Sequence, residues 1–171
     1  MISQVHSGKL RNMASIYLRR NNQLLLLYRQ GNSIVSNLWI GSAGGHFEKG
    51  EVNDAKACVM RELMEELALA ENTINHLSLR YITLRYTDNE IRQNYYFFAD
   101  LTDDTINIPH SNEGITQWYP LEELTQLLMP VTARHIIDHY IRIGQYDTSL
   151  YVGISNHTKT DFYKLQKDGT A

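Results

Sequence analysis

Two apolar runs, Met13–Arg20 and Gln23–Arg29, flank the pair Asn21-Asn22, an arrangement that predicts a β-hairpin. Leu38–Ser42 is a shorter apolar run leading into Gly44-Gly45. From about Asn53 to Leu67 the spacing turns helical, and Asn53 is suited to cap the first turn. Val59, Met60, Leu63, Met64 and Leu67 fall on one side of that helix and form its expected core stripe. Leu77–Thr87 and Ile91–Leu101, rich in Tyr and Phe, flank Asp88-Asn89-Glu90 and predict a second hairpin. Ile115–Tyr119 reads as a further strand. Pro120 then opens a short helix through Leu127. Pro130 precedes a second helical run, Val131–Ile143, in which Ile136, Ile137, Tyr140 and Ile141 keep helical spacing until Gly144. Tyr151–Ile154 is a candidate last strand. The order of strands, helix, strands, helices and strand predicts an α+β domain with a mixed sheet.

The 171 residues suit one domain, residues 1–171, with enough apolar positions for a real core. A net charge of −3 and a pI near 6.1 argue against a broad nucleic-acid-binding surface. They leave room for a small phosphate-bearing ligand, which needs only a local positive patch or a metal. Cys58 is the single cysteine, so no intramolecular disulfide can form and a reducing compartment is expected. The first twelve residues lack the apolar core of a signal peptide, and Leu24–Leu27 is too short to span a membrane. The expectation is a soluble cytoplasmic protein with no membrane partner. The apolar late helix could pack against a second copy, which leaves a homodimer open.

Charge patterning marks one segment above the rest. Glu62, Glu65 and Glu66 stand at i, i+3 and i+4, so on a helix their carboxylates project from one face within about one turn. Like charges at that spacing destabilise a helix by roughly 0.2–0.5 kcal/mol per pair, so a compensating cation is expected. Mg²⁺ suits the role, because it prefers carboxylate oxygens and keeps positions open for water and phosphate. The competing reading is a solvated helix face.

Outside this triplet each candidate has an ordinary reading beside the functional one. His46 could act as a base or simply hydrogen bond within its loop. Cys58 reads as a small buried residue rather than a reactive thiol. Arg29, Arg85 and Arg92 lie in predicted strands where each could clasp a phosphate or sit in a surface ion pair. Tyr95-Tyr96-Phe97-Phe98 could stack a base, although alternating core and surface positions of a strand explain it as well. His135 and His139 have the i, i+4 spacing of zinc ligands, with no third ligand evident.

Gly45, five residues, Glu51, and then Arg61-Glu62-Leu63-Met64-Glu65-Glu66 together resemble the signature of the Nudix hydrolases of MutT type. The match covers about 25 residues behind a Gly-Gly-x-x-Glu-x-Gly-Glu loop, and the strand order around it resembles that family's α/β/α sandwich. Two departures stand out. The loop between Glu51 and Arg61 is two residues longer than the family pattern, an excess that falls near Val52-Asn53-Asp54, where a loop can absorb it. Ala68 replaces a glycine; if that position needs a left-handed backbone, alanine costs something like 1–2 kcal/mol.

The resemblance implies hydrolysis of a nucleoside diphosphate linked to another group, with Mg²⁺ or Mn²⁺ as cofactor. It implies Glu62, Glu65 and Glu66 as metal ligands, with the Gly44 carbonyl as a further donor. Glu113 stands where many members carry another glutamate ligand or base, and its ordinary reading is a loop acid beside Gly114. One of these glutamates, or a nearby one, would take the proton of the attacking water; Glu65, Glu62, Glu113 and Arg61 are the catalytic candidates, and spacing does not choose among them. Arg61 is expected to orient carboxylates, pairing with Glu51 or Glu65. The substrate expected first is a modified nucleoside triphosphate such as an oxidised nucleotide. Nucleotide sugars, dinucleotides, and a binding module that senses a nucleotide without cutting it stay open.

Overall fold

A computed structural model describes residues 9–30, 37–108, 111 and 113–167. In chain order the elements are β1 (Lys9–Arg20), β2 (Gln23–Arg29), β3 (Leu38–Ile40), β4 (Ala43–His46), α1 (Ala55–Leu67), β5 (Ile74–Thr87), β6 (Glu90–Leu101), β7 (Gly114–Pro120), α2 (Val131–Arg142), β8 (Tyr151–Ser155) and β9 (Thr160–Lys164). Among the described residues these strands form one mixed sheet with the path β3-β2-β1-β6-β5-β8-β9. β4 joins β1, and β7 joins β2. β1 runs parallel to β6 and β5 runs parallel to β8, while the other pairs are antiparallel.

Strand periodicity of two gives this sheet a core on each face. Ala14, Ile16 and Leu18 of β1, Leu25 of β2 and Phe97, Ala99 and Leu101 of β6 pack against Val59, Leu63 and Leu67 of α1. Tyr17, Leu24, Leu26, Tyr81, Tyr96 and Phe98 point the other way, onto Ile136, Ile137 and Tyr140 of α2. The result is the expected α/β/α sandwich. The aromatic run of β6 therefore alternates between two cores rather than between core and surface. Tyr96 and Phe98 serve the α2 side, Phe97 the α1 side, because helices cover both faces of this strand.

Both expected hairpins form. Asp88 and Asn89 adopt φ of 51° and 60°, and Thr87 faces Glu90, as in the tight mirror-image turns that match strand twist. Several boundaries differ from expectation. The N-cap of α1 is Asp54, not Asn53: Asp54 Oδ1 accepts from the Ala57 N–H at 2.9 Å. Asp54 can do so because the two extra residues are taken up in an exposed turn, with the Asp54 N–H on the Glu51 carbonyl at 2.8 Å. Met64 belongs to the solvent side of α1, 48% exposed, and Cys58 and Glu62 take up buried positions on its inner side. The run after Pro120 is a 3-10 turn, Leu121–Gln126, not an α-helix. β4 and β9 were not anticipated: β4 is two glycines in four residues, and β9 carries the polar pattern TDFYK.

Sheet topology also positions the loop before α1. β1 is shared along its length: its last residues pair with β2, and Met13–Ile16 pair with β4. Where β2 and β4 diverge, the buried Ser42 holds the fork. Its Oγ accepts from the Leu18 N–H at 2.8 Å and donates to the Leu25 carbonyl at 2.6 Å. That stitch replaces backbone pairing lost at the split and aims Gly44-Gly45 at the flank of α1.

Candidate active site

The two glycines of β4 leave room for what lies against the strand. A Cβ on Gly45 would collide with the carboxylate of Glu62, and one on Gly44 would lie 2.5 Å from the Ala14 carbonyl. With the strand bare, Glu62 lies against Gly45, and Glu66 Oε2 accepts from the Gly44 N–H at 3.0 Å. The helix and the glycine strand thus meet through two of the three glutamates.

Arg61 organises the rest. Its Nε donates to Glu51 Oε1 at 2.8 Å and its Nη2 to Glu51 Oε2 at 3.1 Å, a two-pronged pair. Its Nη1 reaches Glu62 Oε1 at 2.8 Å and Glu65 Oε2 at 3.0 Å, and its Nη2 also donates to the His46 carbonyl at 3.0 Å. Glu51 is fixed a second time by the Glu48 N–H at 2.8 Å. Arg61 therefore orients the acids, as its place in the sequence suggested, and it includes Glu62 as well as the expected Glu51 and Glu65.

The ionisation of these groups follows their partners. The Arg61 hydrogen bonds hold the buried Glu51 carboxyl at about 2, against the opposing effect of burial. Burial raises Glu62 in spite of Arg61. Burial also pushes Glu66 up to about 8, with the charges of Glu113 and Glu62 adding to the shift and the Gly44 N–H opposing it. Cys58, wholly buried beneath this network, is pushed up to about 12 by burial and then by Glu51, which makes its thiol inert. Burial followed by Arg11 lowers His46, with Arg29 and Arg92 acting in the same sense, so its ring is neutral and accepts from Arg11 Nε.

Glu113 sits in the turn immediately before β7, and its carboxylate is clasped by Arg29 of β2. That pairing sets one predicted phosphate-binding arginine beside one predicted acid, close enough to Glu66 for each to alter its charge. Neither residue's local sequence announces the other; the β2–β7 register, which pairs Arg29 with Gly114, brings them together. Arg85 and Arg92 stand apart from that pair, facing each other on β5 and β6. His135 and His139 do not share a ligand: His135 Nδ1 meets Thr160 Oγ1 at 2.9 Å, while His139 Nδ1 meets the Tyr81 hydroxyl at 3.0 Å in the α2 core.

As the side chains lie, no group of three His, Cys, Asp or Glu among the described residues is in ion-binding geometry. The donor chemistry nonetheless fits a hard divalent cation. Glu62, Glu65 and Glu66 each use one oxygen, on Arg61 or Gly44, and keep the other without a hydrogen bond among the described residues. Glu66, Glu62 and Glu113 repel one another, a repulsion that a cation would relieve. Glu62, Glu65, Glu66 and Glu113, with the Gly44 backbone, are the oxygen donors that could hold it.

A family model described as the NUDIX domain matches residues 9–140. A search of curated protein sequences found no match. Among solved structures, the mutator MutT protein of Bacillus halodurans superposes with a TM-score of 0.63 at 19% identity, covering 90% of this chain and 97% of that one. An Ap4A hydrolase of C. elegans, solved as a binary complex, gives 0.62 at 17% identity over 79% of this chain and 98% of that one. The NUDIX domain of Shewanella oneidensis NrtR, solved with ADP ribose, gives 0.56 at 17% identity over 80% and 88%. No helix among the described residues is long and apolar enough to cross a membrane. With the domain model spanning most of the chain and the glycine loop, Arg61 and helix glutamates in place, the chain belongs to the NUDIX family and is a Nudix hydrolase, an enzyme that acts on acid anhydride bonds of phosphorus compounds.

Proposed function

We propose that the protein is a Mg²⁺- or Mn²⁺-dependent cytoplasmic pyrophosphohydrolase whose substrate is a nucleotide, with a modified nucleoside triphosphate as the favoured case. The supporting observation is the half-satisfied state of the helix carboxylates. Glu62, Glu65 and Glu66 each retain one unpartnered oxygen among the described residues; Glu62 and Glu65 share Arg61 through the other, and Glu66 rests on the Gly44 N–H. Spare carboxylate oxygens on mutually repelling acids suit a hard cation.

In this reading Glu62, Glu65 and Glu66, with the Gly44 carbonyl and Glu113, would hold the cation. The ion, when bound, neutralises phosphate oxygens and acidifies a water. Glu65 has the most accessible carboxylate, 57% exposed against 12% for Glu62, which suits it to take a proton from the attacking water. Arg61, bound to Glu51, Glu62 and Glu65 together, is a positioning residue that keeps the acids in one place.

The test is a panel of nucleoside triphosphates, including oxidised ones, with nucleotide sugars and dinucleotides, assayed with Mg²⁺ or Mn²⁺ and again in EDTA. Turnover of at least one member that stops in EDTA is expected. No turnover of any member would overturn the reading, and full turnover in EDTA would remove the cation from it.

A further inference from the structure

Three arginines stand side by side across the sheet. Arg11 of β1 is the register partner of Arg92 of β6, and Arg92 is the partner of Arg85 of β5. Register partners share a face, and this row lies on the face of Tyr17, Tyr81 and Phe98, four residues further along β5 than Tyr81. At the usual rise that places the row about 13 Å beyond Tyr81 along β5. Like charges directly opposed across strands are destabilising, and here there are two such contacts in succession.

Their compensation is thin. Glu90 lies 3.7 Å from Arg11 and 3.3 Å from Arg92, and Asp88 lies 3.4 Å from Arg92. Elsewhere in this protein, ion pairs such as Arg19–Asp100 and Arg61–Glu51 close to 2.7 and 2.8 Å. Arg85 has no hydrogen-bond or ion-pair partner among the described residues. One register nearer the core on the same face is Asn94, whose buried Oδ1 also has no partner among them. Three guanidinium groups are thus met by two carboxylates, and Asn94 Oδ1 is left without a donor among the described residues.

The row is joined to the glutamate cluster through one residue. His46 accepts from Arg11 through its ring and from Arg61 through its main-chain carbonyl. We infer that Arg11, Arg92 and Arg85 form a subsite for the phosphate chain of the substrate outside the bond that is cut, and that this subsite selects nucleoside triphosphates over nucleotide sugars. The inference rests on the hydrolase reading above and names its substrate class. Guanidinium groups in a row present paired N–H donors to successive phosphates, which a neutral sugar cannot satisfy.

Two measurements test it. Calorimetric titration of inorganic tripolyphosphate into metal-free protein should show binding that weakens at least about tenfold in Arg85→Gln and further in Arg85→Gln/Arg92→Gln. In steady-state kinetics the same variants should raise KM for the nucleoside triphosphate by about tenfold with kcat within about threefold, and Arg85→Lys should recover part of the loss. Because Arg85 has no described partner to lose, its single variant separates the subsite from folding. Equal tripolyphosphate affinity in wild type and Arg85→Gln would overturn the subsite, even with hydrolysis intact. An equal loss of kcat/KM on nucleotide sugars and triphosphates would overturn its selectivity. If wild type hydrolyses nothing yet binds tripolyphosphate through Arg85, the hydrolase reading fails and the subsite stands.

Discussion

Arg61 holds Glu51 by two hydrogen bonds, 2.8 Å from Nε and 3.1 Å from Nη2, and the same guanidinium serves both Glu62 and Glu65. Glu51 is thereby the anchor of the site rather than one of its exposed acids. Its carboxyl ionises near 2 in the fold against 4.5 when free, so the pair contributes fully above pH 4.5. That contribution is lost as pH falls through 4.5 toward 2. Glu51→Gln should cost about 1.5–3 kcal/mol at neutral pH and flatten the acid limb of a denaturation series. Parallel acid limbs in variant and wild type would refute the role.

Glu65→Gln keeps the side chain's size and removes its charge. On the proposed chemistry it should lower kcat by about 10²-fold or more, with thermal unfolding changed little because Glu65 is largely exposed. Wild-type turnover in the variant would remove Glu65 from the reaction.

Ala68 ends α1 with φ of 52°, its N–H reaching back to the Met64 carbonyl at 3.0 Å. This left-handed position is the one where the family pattern has glycine, and alanine there is strained by its Cβ. Ala68→Gly should stabilise the protein by about 1 kcal/mol, raising Tm by roughly 2–4 °C. A lower Tm would show that the strain is already relieved.

His139 is buried among Tyr81, Tyr151 and Phe162, with Arg142 and Asp147 as the charges acting on it. Burial, followed by Arg142, holds its pKa below 6.5, so the folded ring stays neutral where an unfolded one would protonate. Stability should therefore fall as pH drops through 6.5. His139→Phe should show a shallower fall across that window, apart from a constant offset for the lost Tyr81 hydrogen bond. An identical pH slope, read from urea midpoints, would mean that the ring protonates in place.

Much of the site was legible along the chain because its parts are neighbours there. Glu62, Glu65 and Glu66 need only one helix to share a face, and Arg61 reaches Glu65 across one turn of it. The hairpins were legible for the same reason, their turns being set by Asn21, Asp88 and Asn89 at positive φ. Asp54 displaced Asn53 as the cap because both residue types suit that position and only the turn geometry decides between them. The all-round burial of β6 could not be read from its alternation, since covering helices come from distant parts of the chain.

The sequence alone determined the strand and helix periods, the glutamate-bearing helix and the family to which the chain belongs, because these depend on residues within a turn or two of each other. Only the tertiary structure decided that Ser42 holds a forked β1, that Arg29 clasps Glu113, and that Arg11, Arg92 and Arg85 align. Each of those relations depends on the register between strands far apart in sequence. A shift of one residue would turn every side chain to the opposite face, and no local pattern records which register is adopted.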